Sequence, residues 1–273
     1  MEKYALITGA SAGIGRAMAQ ECARRGFHLL LVALDEPALH DTATALKTQF
    51  PIEAHAFGVD LTLEDAPRQI CDWCRCEGFP VSILINNAGF GHSGMLESIP
   101  LPEYYKMLSL NNRAMVGLTH LFLPLLKQQP KAYILNMSSM EATLPRPYKA
   151  VYAGTKNFVF GFTLALREEL KSFKINVSVL CPGPTATNEG SLMRIREQGK
   201  KARLMVLMPE PVAKAAIRGM MENKQIIIPG VVPKMIVRLM NWFPTPWKMA
   251  ILERLFHSDR EHRWPSASQP ARK

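Results

Sequence analysis

Short β-rich runs alternate with helical patterns along most of this chain. The strand candidates are residues 4–8, 28–33, 53–59, 82–86, 132–137, 174–180 and 225–228. Helical patterns fill the intervals near residues 13–26, 36–49, 63–77, 101–129, 147–173 and 209–222. Several strand candidates are nearly continuous apolar runs, as expected for strands covered on both faces. The alternation predicts an α/β fold with one doubly wound parallel sheet of about seven strands and helices on both faces.

The length and composition of the chain fit a single large domain. Of its 273 residues, 48% are hydrophobic, which is enough to bury a sizeable core. The first strand candidate begins at residue 4 with no charged and apolar leader before it, so we expect no secretory signal peptide. No uninterrupted apolar run approaches the ~18–20 residues of a membrane span.

Three of the five cysteines cluster in the sequence CDWCRC, at Cys71, Cys74 and Cys76. A zinc site of the usual pattern needs a second group of cysteine or histidine ligands, and the sequence offers none nearby. We therefore predict no metal site and free thiols in a reducing cytoplasm.

A glycine-rich loop, TGASAGIG at residues 8–15, follows the first strand candidate. Gly9 permits a sharp exit from the strand, Gly13 lets the backbone approach a pyrophosphate, and Gly15 allows the next helix to pack closely on the sheet. The N-terminus of that helix offers free N–H groups and a positive dipole end to phosphates. The loop therefore predicts a dinucleotide-binding site.

Four further motifs follow the glycine loop, in an order and at a spacing that resemble the short-chain dehydrogenase/reductase family. They are NNAG at residues 86–89, SS at 138–139, YAGTK at 152–156 and PGPTAT at 182–187. The resemblance implies that residues 1–230 form a Rossmann domain with seven strands, and that the protein is an NAD(P)(H)-dependent oxidoreductase. The chain looks loosely like members that reduce 3-oxoacyl chains or oxidise hydroxysteroids.

The resemblance implies four catalytic residues: Tyr152, Lys156, Ser139 and Asn111. Tyr152 would exchange a proton with the substrate oxygen. A free tyrosine has a pKa of about 10, and Lys156, one helical turn away, would lower this pKa together with the positive nicotinamide ring. Ser139 would hydrogen-bond the substrate oxygen. Asn111, with Asn112 as the alternative, would hold a water that links Lys156 to solvent, and Lys156 would also bind the nicotinamide ribose.

The resemblance also implies a set of cofactor-binding residues: Gly9, Ser11, Gly13, Ile14, Gly15, Asp35, Asp60, Leu61, Asn87, Ala88, Gly89, Tyr152, Lys156, Pro182, Gly183, Thr185 and Thr187. Either NAD(H) or NADP(H) fits this set. A 2′-phosphate favours a basic partner and a 2′-hydroxyl favours a carboxylate. Leu34 and Ala12 stand where NADP-binding relatives carry basic residues, so Asp35 favours NAD(H), whereas Arg16 leaves a phosphate contact open.

The excess of positive charge lies in the C-terminal part of the chain. Residues 194–273 hold 16 basic and 6 acidic side chains, whereas residues 1–193 hold 17 of each. We expect residues 188–208 to form a substrate lid, residues 231–264 an amphipathic helical extension, and residues 265–273 a disordered tail. Within the extension, residues 233–257 are basic and apolar, which is typical of membrane-surface helices. The same pattern fits a pocket cap or a subunit contact.

The sequence favours an enzyme that interconverts a ketone and a secondary alcohol, on an apolar substrate such as a fatty-acyl or steroid-like molecule. Two alternatives are an NAD(P)(H)-binding sensor without turnover and an enzyme acting on sugars. We expect a homodimer or homotetramer in the cytoplasm, either free or peripheral to the inner face of a membrane. Nucleic-acid binding is not expected, because no groove-reading motif accompanies the positive charge.

Overall fold

The computed structural model describes residues 3–186 and 206–261. Seven parallel strands form one sheet in the order β3-β2-β1-β4-β5-β6-β7. Their bounds are β1 Tyr4–Thr8, β2 His28–Ala33, β3 Ala54–Gly58, β4 Val81–Asn86, β5 Ala132–Met137, β6 Ile175–Leu180 and β7 Ile226–Ile227. The predicted sheet is thereby confirmed, with strand ends that differ from the predicted ends by at most one residue. Thr187, residues 188–205 of the predicted lid, and the tail lie outside the described residues.

Nine α-helices lie in the part of the chain that the structure describes. Their bounds are α1 Gly13–Arg24, α2 Pro37–Gln49, α3 Ala66–Cys76, α4 Leu101–Leu108, α5 Met115–Lys127, α6 Ala150–Glu169, α7 Pro209–Met221, α8 Val231–Met240 and α9 Thr245–Phe256. Short 3₁₀ turns occur at Leu96–Ser98, Met140–Ala142, Lys171–Phe173 and His257–Glu261. None of the described helices combines the length and the apolar character that crossing a membrane requires.

The strands β1, β2, β4, β5 and β6 are buried on both faces because helices cover the sheet from two sides. Along β1, Ala5 and Ile7 join the core beneath α1, α2 and α7, while Leu6 joins the core beneath α3, α5 and α6. All three side chains are fully buried. This alternation explains why the strands are continuous apolar runs rather than alternating apolar and polar residues.

The sequence predicts one helix over residues 101–129, and the structure divides that helix into three parts. A π-helical turn, Ser109–Ala114, connects α4 to α5. Such a turn adds a residue to the helical repeat and is frequent at functional sites. It contains Asn111, so it changes the direction in which this side chain points relative to a regular helix.

The helices α8 and α9 pack against the turn that follows β5. Leu144 is buried in one apolar cluster with Val237, Met240 and Leu252. Pro244 precedes α9 and separates it from α8, because proline cannot continue the hydrogen-bond pattern of a helix. One side of this helical pair is therefore fixed on the domain.

Candidate active site

The carboxyl ends of the strands bring the predicted residues to one edge of the sheet. Gly9 follows β1, Asn87 follows β4, Ser139 lies two residues after β5, and Pro182 lies two residues after β6. The strand order reverses between β1 and β4. In open α/β sheets, ligands bind in the crevice at this reversal.

The glycine loop adopts a backbone that side chains would obstruct. Gly9 and Gly13 have φ values of +66° and +54°, in the left-handed region that favours glycine. A Cβ at Gly15 would overlap the backbone carbonyl of Gly9. Ser11 and Ile14 are half-buried in the same loop. The start of α1 is therefore open to a phosphate-bearing ligand from the side of the crevice.

Hydrogen bonds connect the glycine loop to the loop after β4. The Thr8 hydroxyl accepts hydrogen bonds from the backbone N–H groups of Asn87 and Ala88, at 2.9 and 3.0 Å. The Asn87 amide donates to the Thr8 carbonyl at 2.8 Å. Both loops are therefore held together, and the residues present fit a dinucleotide cofactor.

The residues predicted for the adenosine half of the cofactor follow β2 and β3. Asp35 Oδ1 lies 2.7 Å from His40 Nε2, and the Asp35 side chain packs over Gly58. Asp60 is exposed, and its carboxylate accepts a hydrogen bond from a backbone N–H two residues later at 2.8 Å. Leu61 is buried. The carboxylates of Asp35 and Asp60 are thus at the same edge of the sheet as the glycine loop.

Ser139 and Tyr152 face each other at the opposite half of the crevice. The Ser139 hydroxyl accepts a hydrogen bond from the backbone N–H of Glu141 at 3.1 Å. Burial raises the pKa of Tyr152, the Glu141 carboxylate raises it further, and a hydrogen bond from Ser139 opposes both. The pKa of Tyr152 is therefore raised, whereas we predicted that Lys156 and the positive nicotinamide ring together would lower it.

Lys156 is completely buried beneath the loop after β5. Its ammonium donates a hydrogen bond to the Met137 carbonyl at 3.0 Å and lies 5.7 Å from the centroid of the Tyr152 ring. Burial lowers the pKa of Lys156 to about 8, against the opposing influences of Cys181 and Glu141. A lysine with this pKa can accept and release a proton near neutral pH.

Asn111 lies beside Lys156 and is held on three sides. Its amide nitrogen donates to the Phe90 carbonyl at 2.9 Å and to the Thr155 hydroxyl at 3.0 Å, and its oxygen accepts from the Phe90 N–H at 3.1 Å. A Cβ at Gly89 would lie 2.8 Å from the Asn111 oxygen and 3.2 Å from the Lys156 nitrogen. Asn111 therefore anchors the loop after β4 and keeps one lone pair of its oxygen for a further donor.

The turn after β6 closes the crevice next to Ser139. The backbone N–H of Met140 donates to the Pro182 carbonyl at 3.0 Å. The Thr185 hydroxyl donates to the Gly183 carbonyl at 3.0 Å, and Thr185 forms a parallel bridge with Leu207. The predicted residues Pro182, Gly183 and Thr185 thus lie in one compact turn. Thr187 lies outside the described residues.

Two residues of the site were missed by sequence reasoning. The Glu141 carboxylate lies 3.5 Å from Lys149 and 3.8 Å from Arg146, and it acts on the pKa values of Tyr152 and Lys156. At Gly91, a Cβ would overlap the Tyr152 ring. The sequence contains no signal for Glu141, but a glycine so soon after the NNAG motif is a signal for close packing.

Comparison with known proteins matches residues 3–198 to the family model for short chain dehydrogenases. The chain belongs to the short-chain dehydrogenase family. Membership confirms the predicted family and the prediction that this is an oxidoreductase with a nicotinamide cofactor. The roles of the individual residues stay predictions.

Curated relatives of this chain within the short-chain dehydrogenase family carry the name very-long-chain 3-oxoacyl-CoA reductase. The relative from Macaca fascicularis is 32% identical over 227 residues, which cover 79% of this chain and 68% of the relative. The chain spans 59% to 68% of the length of the first five curated relatives.

Solved structures of other short-chain dehydrogenases share the fold. One from Sphingobium yanoikuyae in complex with NADPH is 26% identical, covers 100% of both chains and has a TM-score of 0.74. One from Burkholderia phymatum in complex with NAD is 25% identical, covers 88% of this chain and 93% of that chain, and has a TM-score of 0.78. These two neighbours bind different nicotinamide cofactors, so they support the cofactor class only.

Proposed function

We propose that this short-chain dehydrogenase interconverts a ketone and a secondary alcohol on an apolar, lipid-like substrate, with Tyr152 as the general acid and base. The observation that carries the proposal is the arrangement of Ser139, Tyr152 and Lys156. A serine hydroxyl and a phenol face each other in a buried crevice, and an ammonium lies one helical turn behind the phenol. This is what carbonyl reduction requires at the substrate oxygen.

A nicotinamide cofactor held by the glycine loop and Lys156 would supply the hydride that the carbonyl carbon accepts in reduction. Tyr152 donates its proton to the carbonyl oxygen, so that one hydride and one proton add across the C=O bond. Ser139 donates a hydrogen bond to the same oxygen and stabilises the negative charge that develops on it. Alcohol oxidation reverses these steps, with the Tyr152 phenolate as the base.

Lys156 and Asn111 would supply and return the proton of Tyr152. With a pKa of about 8, Lys156 can change its protonation state at neutral pH. The remaining lone pair of the Asn111 oxygen suits a water between Lys156 and solvent. Lys156 would also bind the ribose of the nicotinamide.

The surroundings of Tyr152 support an apolar substrate. An apolar cluster of Ile99, Tyr104 and Met107 packs against Phe90 and Tyr152. Apolar walls of this kind suit an acyl chain or a ring system rather than a sugar with many hydroxyls. The name of the curated relatives, very-long-chain 3-oxoacyl-CoA reductase, agrees with this class.

A substrate panel tests the proposal. The purified chain is assayed with NADH and with NADPH against 3-oxoacyl thioesters of increasing chain length, bulky ring ketones and keto sugars. We expect kcat/KM to rise with apolar area and to be lowest for the sugars. Turnover of sugars alone would contradict the apolar substrate class, and no turnover of any ketone or alcohol would contradict the enzyme assignment.

For the cofactor, we propose a preference for NAD(H). The Asp35 carboxylate would accept hydrogen bonds from the ribose hydroxyls and repel a 2′-phosphate. Asp35→Ala should therefore raise kcat/KM for NADPH relative to that for NADH by about tenfold or more. Glu36→Ala, at the adjacent exposed position, is the matched control and should leave the ratio unchanged. An unchanged ratio in Asp35→Ala would contradict this role.

The remaining assignments are proposals about the whole chain. We propose residues 188–208 as the substrate lid, residues 231–264 as the helical extension, and a cytoplasmic location with membrane contact through residues 233–257.

We also propose a homodimer or homotetramer, because α4 and α6 expose Tyr105, Leu108 and Phe158. Measurement of the molar mass by light scattering tests the oligomeric state, and a monomer would contradict it.

A further inference from the structure

The outer surface of α8 and α9 carries two stripes of exposed apolar side chains. On α8 and just beyond it, the stripe consists of Val231, Met235, Leu239 and Trp242, which are 72%, 65%, 63% and 86% exposed. On α9 it consists of Trp247, Ile251 and Leu255, which are 66%, 37% and 67% exposed. The spacing of three or four residues places each stripe on one helix face. We call these seven residues the apolar stripes.

Basic side chains border the apolar stripes. Lys234 and Arg238 lie one helical turn apart on α8, while Lys248 and Arg254 lie on α9. Among the described residues, none of these four forms an ion pair. The single acidic residue of the two helices is Glu253, whose carboxylate binds Tyr148 and His257. The surface is therefore apolar at its centre and positive at its border.

The opposite side of the same helices lies against the candidate active site. Val237 and Leu252 pack on Leu144, in the segment between Ser139 and Tyr152. A Cβ built at Gly183 would lie 3.1 Å from the Pro233 ring. The apolar stripes and the side chains that pack beside the candidate active site therefore lie on opposite sides of the same two helices.

We propose that the apolar stripes dock on an anionic lipid bilayer, and that docking places the substrate crevice next to the membrane surface. Exposed tryptophans and other apolar groups enter the interface, and lysine and arginine contact the anionic headgroups. A second copy of the chain fits less well, because a symmetric contact would bring the same basic residues together. The role of the membrane as a source of substrate rests on the proposed function, whereas docking does not.

Vesicle co-sedimentation of the full chain tests docking. The vesicles consist of phosphatidylcholine alone or with about one third phosphatidylglycerol. We expect binding to the anionic vesicles, weaker binding at high salt, and little binding to phosphatidylcholine alone. Trp242→Ser/Trp247→Ser should weaken binding by about tenfold or more. Lys234→Gln/Arg238→Gln should weaken it by about 25-fold, at about fivefold for each basic residue.

Control variants at other positions test whether a loss of binding is specific to α8 and α9, or follows from any loss of charge or apolar surface. Lys171→Gln/Lys214→Gln removes two charges at exposed positions outside α8 and α9, and Phe173→Ser removes an exposed apolar residue at the opposite edge of the sheet. These controls should bind like the parent, and all variants should keep their cofactor affinity. Equal binding by the parent and both docking variants, or equal losses in docking variants and controls, would overturn the proposal. A conversion from oligomer to monomer in Trp242→Ser/Trp247→Ser would also overturn it and assign the stripes to a subunit contact.

A variant designed to lack turnover tests docking separately from the proposed chemistry. Tyr152→Phe should bind anionic vesicles like the parent, since the half-buried Tyr152 lies on α6 and is not one of the apolar stripes. If the parent binds vesicles but reduces no ketone, docking stands and the proposed function fails. If the parent reduces ketones but does not bind vesicles, the proposed function stands and docking fails.

Discussion

Tyr152 and Lys156 lie one helical turn apart on α6, yet burial moves the pKa values of the two groups in opposite directions. Burial disfavours the charged form of each group, so the pKa of the phenol rises and the pKa of the ammonium falls. Glu141 opposes the fall at Lys156 and adds to the rise at Tyr152. At the residue scale, a neutral phenol and a readily titrating lysine are therefore ready for the reduction step.

Glu141→Gln should lower the pKa of Tyr152, because it removes a negative charge that raises it. Alcohol oxidation needs the Tyr152 phenolate, so the acidic limb of its pH profile should move about one pH unit toward acid. The measurement is kcat/KM for oxidation as a function of pH, with Glu97→Gln as the control at an exposed glutamate. A profile that stays in place or moves toward base would contradict the role of Glu141.

Lys156→Met should stabilise the fold at neutral pH while it abolishes activity. The folded-state pKa of about 8 lies below the ordinary value of 10.5, so the unfolded chain binds more protons between these values, and the cost of burial falls as pH rises. The gain should be about 3 kcal/mol at pH 7 and about half of that at pH 9.5. Urea unfolding of parent and variant at both pH values measures the difference. A variant less stable than its parent at pH 7 would show that the bond to Met137 outweighs the cost of burial.

At the scale of elements, the segment between Ser139 and Tyr152 is held from outside by α9 and the turn after it. Tyr148 has a φ of +63°, a conformation that non-glycine residues rarely adopt. Its hydroxyl donates to the Glu253 carboxylate at 3.0 Å. Arg146 pairs with Asp259, and its guanidinium lies 3.8 Å above the Phe256 ring. The C-terminal helices therefore help to position Ser139 and Tyr152, the two proposed catalytic residues at the ends of this segment.

Glu253→Ala should reduce kcat/KM for the carbonyl substrate several-fold and leave the dissociation constant of the cofactor nearly unchanged. The reason is that the loss of the Tyr148 partner loosens the segment between Ser139 and Tyr152, whereas the glycine loop lies on other elements. Steady-state kinetics and cofactor titration by fluorescence measure the two quantities. The control is Glu222→Ala at the end of α7, and an equal effect of both variants would contradict this role of α9.

At the scale of the whole molecule, one sheet edge carries the candidate active site, and α8 and α9 pack on the segment that follows β5 beside this site. Removal of residues 231–273 would expose Leu144 and the neighbouring Met140, which pack against these helices. We expect the truncated chain to lose solubility or change its substrate range more than its cofactor affinity. Cofactor titration and the substrate panel compare the two effects, and an equal loss of cofactor affinity would mean that the helices belong to the core.

Sequence patterns predicted those parts of the fold that depend on local residues. The apolar runs located most of the strands, because a strand buried on both faces has little freedom in composition. The half-buried strand β3 and the short strand β7 were located by their places in the alternation of strands and helices. The π-helical turn around Asn111 was not predicted, since a helical pattern does not reveal one extra residue in a turn. Glu141 and Tyr148 were missed for another reason. Tyr148 matters through Glu253, a partner distant in the chain. Glu141 matters because the fold places its carboxylate near Tyr152 and Lys156, and no local pattern indicates either contact.

The most direct test of the proposed chemistry is a comparison of Tyr152→Phe with the parent enzyme, for turnover and for cofactor binding. The substitution removes only the phenolic hydroxyl, and the half-buried ring keeps its packing against Gly91. We predict that kcat falls by about a thousandfold, a typical contribution of general acid–base catalysis, while the cofactor dissociation constant stays within about twofold. Turnover close to that of the parent, with the cofactor bound equally well, would contradict the assignment of Tyr152 as the proton donor.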